Sequence, residues 1–267
     1  MDQILSPLTI SGIFTVCLYF ITFLSSILTL RSGRQQGGLN LFALSAIAAH
    51  AFYLYLIIDG RGPHSLSLFN MLSLTNWLAL LVLMVNSLRQ NITLILAIIS
   101  AFAATSTMLG MMYPTGGPNH LQIGPVSLTH IIAAITGTGF LLLAAVQALL
   151  VLIADAKLRS HPTHVPSYFP PLQSLERFQF QLLALGFFAM TLAMILAVFW
   201  LKDAWTSQPL HKSILSSMAW VVFATLLIGH QWKGWRGAIA AKWTLGGFVL
   251  LAIGYFGSKL VVELILA

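Results

Sequence analysis

Residues 131–153, IIAAITGTGFLLLAAVQALLVLI, contain no charged side chain. An α-helix needs roughly 20 mainly apolar residues to cross about 30 Å of hydrocarbon at 1.5 Å per residue. This stretch is therefore long enough to span a bilayer as one helix. Its continuous apolar character excludes a membrane β-barrel, because the strands of a barrel alternate apolar and polar residues.

Comparable apolar stretches fill most of the chain. Of its 267 residues, 58% are hydrophobic and 7% are charged, and its mean hydropathy is +0.90, whereas about 25% of the residues in soluble domains are charged. We expect an all-α, polytopic membrane bundle that forms a single integral membrane domain over residues 1–267. The predicted spans lie near residues 8–30, 39–58, 66–88, 91–112, 127–153, 181–201, 213–231 and 244–264.

The segment between the fifth and sixth predicted spans is the longest one outside the membrane. Residues 154–180 include four prolines, at 162, 166, 170 and 171. Because proline interrupts regular helices, we expect this segment to be a surface loop that leads into the next helix.

The formal charge of +7 predicts an orientation. Lysine and arginine accumulate in the cytoplasmic loops of membrane proteins, and most of those here fall on one side of the predicted map. Both termini should therefore lie outside the cytoplasm. The basic residues form no long run, so lipid rather than nucleic acid is the expected surrounding partner. The residues on the predicted cytoplasmic side are Arg31, Arg34, Arg89, Lys157, Arg159, Arg177, Lys233, Arg236 and Lys242.

Histidine is the main ionisable residue type of the predicted spans. Glu263 is the one carboxylate within them, and the single cysteine, Cys17, excludes an internal disulfide or a paired-cysteine metal motif. An ionisable side chain in hydrocarbon is costly and normally faces a partner or a cavity. Four histidines lie in or at the edge of spans, namely His50, His130, His211 and His230, and four others lie in loops, where we expect solvent exposure, namely His64, His120, His161 and His164.

The predicted depths of the four span histidines differ. His130 should lie about 5 Å below the outer surface and His50 about 12 Å below it. His211 precedes the seventh span on the outer side, so it could meet His130. His230 ends the same span nearly 30 Å away along the axis, and one site cannot use both His211 and His230.

Neutral imidazole can ligate iron, zinc or copper. The lack of a cysteine partner and the few carboxylates argue against a closed structural zinc site. An apolar, aromatic-rich pocket with one or two histidines suits a porphyrin, whose propionates would need cationic groups such as Lys212, Lys233 or Arg236. Spacing alone leaves open the alternative that the histidines form hydrogen bonds between helices.

Several segments resemble the haem-handling cytochrome c assembly superfamily, the group that contains CcsA, ResC, CcmC and CcmF, and in particular its YpjD-type bacterial inner-membrane branch. The most specific segments are PPLQSLER at residues 170–177, which continues to LALGF at 183–187, and KGWRG at 233–237. The segments SLFNML at 67–72, LTH at 128–130 and YFG at 255–257 also follow the family pattern. The resemblance extends over most of the chain.

The resemblance implies roles for individual residues. His130 and His230 match family histidines and would be axial ligands to the iron of haem b. Trp235 and Arg236 belong to the KGWRG match, and Lys212 occurs in the order along the chain that the family shows. The roles of His50 and His211 are supported by their predicted positions in the membrane more than by a motif. The family's tryptophan-rich outer loop is missing, since residues 201–211 contain only Trp205, and no second outer histidine follows the last predicted span.

The resemblance implies a haem-binding protein of the bacterial inner membrane that handles or transports haem for cytochrome c assembly, with a membrane subunit as a further partner. Its chemistry would be ligand exchange at iron rather than the making of covalent bonds by an enzyme. The alternative is a non-catalytic membrane scaffold that has the same fold but has lost haem transfer. A small-solute transporter is less favoured, because the spans lack buried charges, broken helix pairs and repeats.

Overall fold

The computed structural model describes residues 6–33, 38–58, 67–87, 91–113, 124–160, 170–200, 210–257 and 260. Within these ranges the protein is entirely helical, and eight helices are long and apolar enough to cross a membrane. The predicted all-α membrane fold is confirmed. The helices are α1 (Pro7–Ser32), α2 (Leu39–Ile58), α3 (Leu68–Asn86), α4 (Thr93–Met112), α5 (Pro125–Ser160), α6 (Leu172–Trp200), α7 (Leu210–Lys233) and α8 (Gly237–Ala252), the last of which continues into a π-helical turn, Ile253–Gly257.

The helices divide into two compact units at residue 122. The first unit contains α1 to α4, and the second contains α5 to α8 with the π-helical turn. Each unit has its own buried interior. The single domain over residues 1–267 and the placement of both termini outside the cytoplasm stay predictions.

In the first unit, α1 presents a polar stripe to its neighbours α2 and α4. The buried stripe residues recur every three or four positions, which places them on one helix face, while large apolar residues such as Ile10, Phe14 and Phe20 are exposed. Because lipid is as apolar as these exposed side chains, close approach of the helices depends on small residues, and all but one of the stripe residues are serine or threonine. The stripe consists of Ser11, Thr15, Tyr19, Thr22, Ser26 and Thr29.

In the second unit, α5 and α6 cross closely at two glycines. A Cβ atom at Gly137 would lie 3.0 Å from the backbone nitrogen of Met190, and one at Gly186 would lie 2.8 Å from Cγ of Leu141. Any side chain at these positions would push the helices apart. Toward the end of α5 and the start of α6, the unit continues into an apolar cluster that joins α5, α6 and α8, formed by Ala148, Val151, Ala154, Leu175 and Ala241.

The predicted loop over residues 154–180 is wrong in extent. Residues 154–160 continue α5, and residues 172–180 form the first turns of α6. The i,i+4 ion pair between Arg159 and Asp155, at 3.2 Å, supports the end of α5 beyond its apolar stretch. Pro170 and Pro171 directly precede α6, where proline is tolerated because the first backbone N–H groups of a helix have no intrahelical acceptor.

Candidate functional site

The last turn of α7 and the short turn that follows it hold His230. Nδ1 of His230 lies 2.8 Å from the carbonyl oxygen of Trp235. A carbonyl oxygen only accepts hydrogen bonds, so Nδ1 must carry the proton. In the neutral ring, Nε2 therefore keeps its lone pair, and no described residue donates a hydrogen bond to it.

The His230 ring is also fixed from one side by α6. It stacks on the ring of Phe180 with the centroids 3.6 Å apart and the planes inclined by 19°. A ring that is held both by a hydrogen bond and by stacking loses little further freedom when it binds a metal or ligand. These two contacts pre-organise the imidazole.

His230 lines a groove of about 430 Å³ between α6 and the turn after α7. Volumes of this size are typical of small-molecule and cofactor sites. Two guanidinium groups, those of Arg177 and Arg236, lie on its wall, and within the described part of the chain neither forms an ion pair. The groove therefore offers one imidazole and two cations beside a single carboxylate, that of Glu176. The remaining lining residues are Gln173, Glu176, Phe180, Gln181 and Ala184.

His130 shows the same arrangement near the start of α5. Its Nδ1 atom donates a hydrogen bond to the carbonyl oxygen of Ala193 on α6, at 2.9 Å. The proton again belongs on Nδ1, and Nε2 again has no donor among the described residues. His130 is half-buried, and its Nδ1–H tautomer leaves the lone pair on Nε2.

His130 and His230 lie at different levels of the second unit. They contact α6 at Ala193 and Phe180, thirteen residues apart, which corresponds to about 20 Å along the helix axis. Two axial ligands of one iron lie on either side of the same atom, at about 2 Å each, a typical metal–nitrogen distance. The structure therefore places the two predicted ligands at separate positions.

His50, by contrast, has both ring nitrogens engaged in the interior of the first unit. The hydroxyl of Thr107 donates to the carbonyl oxygen of Ala103 at 2.8 Å, so its oxygen accepts from Ser73 at 3.2 Å. Ser73 in turn accepts from Nε2 of His50 at 2.7 Å, which leaves Nδ1 to accept from the hydroxyl of Tyr19 at 2.8 Å. With His50 fully buried and both nitrogens occupied, this network connects four helices and leaves no nitrogen for a metal.

The predicted outer residues His211 and Lys212 lie in the first turn of α7. His211 is exposed, and within the described residues no contact joins it to His130. Nζ of Lys212 lies 5.1 Å from the ring centroid of Tyr255 in the π-helical turn, a distance at which a cation is attracted to an aromatic face. Glu263 and the loop histidines at 64, 120, 161 and 164 fall outside the described residues.

Comparison with known proteins identifies the family of the chain. The family model described as "Cytochrome C assembly protein" matches residues 11–266. The chain belongs to the cytochrome c assembly protein family. It is 32% identical over 225 residues to inner membrane protein YpjD of Escherichia coli (strain K12), a match that covers 84% of this chain and 86% of YpjD.

A second relative within the cytochrome c assembly family covers less of the chain. Cytochrome c biogenesis protein CcsA of Nostoc sp. is 30% identical over 107 residues, which is 39% of this chain and 30% of CcsA. No solved structure matches the chain. With its eight spans and its likeness to YpjD, this member of the cytochrome c assembly family is a multi-pass inner membrane protein, and its membership supports a role in cytochrome c maturation.

The two most specific motif segments of this cytochrome c assembly protein form the two sides of the groove. PPLQSLER begins α6 and supplies Gln173, Glu176 and Arg177, while KGWRG supplies Arg236 and the carbonyl group that anchors His230. The Trp235 ring is not a groove wall, since it packs on Gly229 and lies 5.3 Å from the Trp243 ring. Trp235 thus contributes its main chain to the site.

Arg177 and Phe180 are groove residues that the sequence alone did not assign. Their spacing with Gln173 and Ala184 is four, three and four residues, the period of one helix face. This signal was available within the PPLQSLER match. The helical spacing was not recognised, because residues 154–180 were expected to form a loop, in which residues four apart do not share a face.

Proposed function

We propose that this protein binds haem as its cargo in the groove beside His230 and passes it on during cytochrome c maturation. The observation that carries the proposal is the hydrogen bond from Nδ1 of His230 to the Trp235 carbonyl oxygen, at 2.8 Å. Metal-ligating histidines almost always donate their other ring N–H to such an acceptor. His230 therefore has the tautomer of an Nε2 ligand.

The donor set around the groove fits haem better than a bare metal ion. Among the described residues, no group of three or more histidine, cysteine or carboxylate side chains could hold a metal ion alone. A porphyrin supplies four of the ligands of its iron, so that one imidazole suffices from this side. Its two carboxylates match the guanidinium groups of Arg177 and Arg236, which can bind them through charge-assisted hydrogen bonds.

Each group would act by binding and orientation. When bound, haem supplies an iron that exchanges axial ligands. Nε2 of His230 provides an axial ligand, Phe180 supports the imidazole, and the arginines orient the carboxylates toward the cytoplasmic end of α6. Because His130 lies about 20 Å away along α6, it would serve a second haem position nearer the outer surface, to which the cargo moves.

Family membership supports a role in cytochrome c maturation, the general part of this proposal. The CcsA relative is named a cytochrome c biogenesis protein, and the family model bears the name of cytochrome c assembly. We extend that role to this chain. Lys212 and His211, near the start of α7, are the remaining candidates for contacts at the outer position.

A haem titration tests the proposal. Detergent-purified wild type, His230→Ala and Gln231→Ala would each be titrated with haem and followed by their Soret absorption. Gln231 is the exposed neighbour of His230 and is the matched control. We expect stoichiometric binding by the wild type and by Gln231→Ala, and a large loss in His230→Ala. Equal binding by all three overturns haem binding through His230. No binding by the wild type overturns haem binding altogether and favours the scaffold alternative.

A further inference from the structure

The turn between α7 and α8 contains two glycines in the left-handed region of backbone conformation. Gly234 has φ +64° and Gly237 has φ +57°, values that residues with a Cβ atom rarely adopt. Between them, Arg236 is extended, with φ −147° and ψ 176°. The chain thus reverses direction within the five residues Lys233 to Gly237.

This reversal brings Trp235 back onto the last turns of α7. Its backbone N–H donates to the carbonyl oxygen of Gly229 at 3.2 Å, and its own carbonyl oxygen accepts from Nδ1 of His230 at 2.8 Å. The Trp235 ring lies directly over Gly229, where an added Cβ atom would be 2.6 Å from Cε3. Only glycine at position 229 leaves room for this ring.

We propose that Gly229, Gly234 and Trp235 are positioning residues for His230. Together they hold the Trp235 carbonyl group at the one place where it fixes the imidazole as the Nδ1–H tautomer and increases the donor strength of Nε2. This inference rests on the proposed function, since it concerns how strongly His230 binds haem iron. Loss of such an outer hydrogen bond typically lowers metal affinity roughly 10- to 100-fold.

The same turn also places the cationic wall of the groove. Arg236 directly follows Trp235, so the backbone conformation that anchors His230 also sets the point from which the Arg236 side chain extends into the groove. A change in the turn should therefore weaken both contacts to haem at once. A substitution of Arg236 alone should leave the tautomer of His230 unchanged.

Substitutions at Gly234 can distinguish the effect of its left-handed backbone conformation from the effect of steric contact with neighbouring atoms. No atom lies within 4 Å of a Cβ placed there, so neither asparagine nor valine meets a neighbour at that atom. Asparagine tolerates the left-handed region, whereas a β-branched residue does not. We expect Gly234→Asn to bind haem almost as tightly as the wild type, and Gly234→Val to bind it roughly 10- to 100-fold more weakly.

Two further variants guard against a general folding defect. Gly229→Ala should displace the Trp235 ring and weaken haem binding, while Gly246→Ala, a glycine of α8 with nothing within 4 Å of an added Cβ, should not. The tautomer of His230 can be read directly from the ring nitrogens by NMR of ¹⁵N-histidine-labelled protein without haem. Its signal is assigned by its loss in His230→Ala.

The outcomes distinguish this inference from the proposed function. A Nδ1–H signal and tight haem binding that persist in Gly234→Asn but are lost in Gly234→Val support the positioning role. If His230→Ala loses haem but the two Gly234 variants match the wild type in affinity and in NMR signal, the positioning role alone is overturned. If wild type and His230→Ala bind haem equally, the proposed function itself fails.

Discussion

The imidazole of His130 and the carbonyl group of Ala193 are joined across two antiparallel helices by a hydrogen bond of 2.9 Å. His130 precedes Gly137 by seven residues, and Ala193 follows Gly186 by seven residues, which is about two helical turns in each case. The close crossing at the two glycines therefore brings the two groups together. The close crossing of α5 and α6 therefore determines which acceptor His130 meets near the start of α5.

Gly137→Ala should destabilise the protein. The added Cβ atom would lie 3.0 Å from the backbone nitrogen of Met190, which cannot rotate away as a side chain can. We expect a loss of about 1–3 kcal/mol in the free energy of unfolding, the usual effect of overpacking, measured by thermal unfolding in detergent. Gly246→Ala makes the same chemical change in open space. Equal stability of the two variants would contradict the close crossing.

The eight spans follow from composition alone, because length and continuous apolar character determine whether a helix can cross a bilayer. The extent of α5 and α6 beyond their apolar stretches could not be predicted in this way. Residues 154–160 and 172–180 are polar enough to resemble a loop, and an ion pair such as that of Asp155 with Arg159 becomes recognisable only when the helix is already assumed.

The candidate site was predictable in part. His230, Trp235 and Arg236 could be assigned through the KGWRG segment, but the partner of Nδ1 is a main-chain carbonyl group, which no side-chain pattern reveals. His50 illustrates the opposite case. Because it is a histidine within a predicted span, the sequence makes it a candidate metal ligand. Its hydrogen-bond network includes Tyr19, Ser73 and Thr107 from three other helices, so only the fold shows that both ring nitrogens are engaged.

Tyr19→Phe should destabilise the first unit and leave haem binding unchanged. The substitution removes the donor to Nδ1 of His50, a fully buried acceptor, and a buried polar group without a partner costs roughly 1–3 kcal/mol. Tyr55→Phe is the matched control, since the Tyr55 side chain is exposed. Thermal unfolding and haem titration would be measured on both variants. Loss of haem by Tyr19→Phe at unchanged stability would contradict a purely structural role for this network.

Arg177→Gln and Arg236→Gln should each weaken haem binding slightly. Both side chains are exposed, so each contact to a propionate is worth roughly 0.2–1 kcal/mol, or up to about fivefold in affinity. The effect should decrease with salt concentration, because exposed charges are screened. Lys242→Gln removes an exposed cation outside the groove and is the control. If all three variants reduced affinity equally, the groove would have no specific anion contact.

Cysteine labelling in intact cells should reveal the predicted orientation. In a Cys17→Ser background, a membrane-impermeant maleimide should label Leu210→Cys at the start of α7 and should not label Lys233→Cys at its end. Both positions are exposed, and the distribution of basic residues predicts that the Lys233 end lies in the cytoplasm. Disruption of the cells should expose Lys233→Cys to the reagent. The reverse pattern before disruption would place the termini inside the cytoplasm.

We propose that the protein carries haem through His230. The most direct test is the haem content of protein purified from cells supplied with haem, measured as the pyridine haemochrome per polypeptide, for the wild type, His230→Ala and His130→Ala. We predict haem in the wild type, a clear loss in His230→Ala, and a separate, partial loss in His130→Ala, because the two histidines occupy different positions along α6. A wild type that contains no haem, or a His230→Ala variant that retains all of it, would contradict the claim.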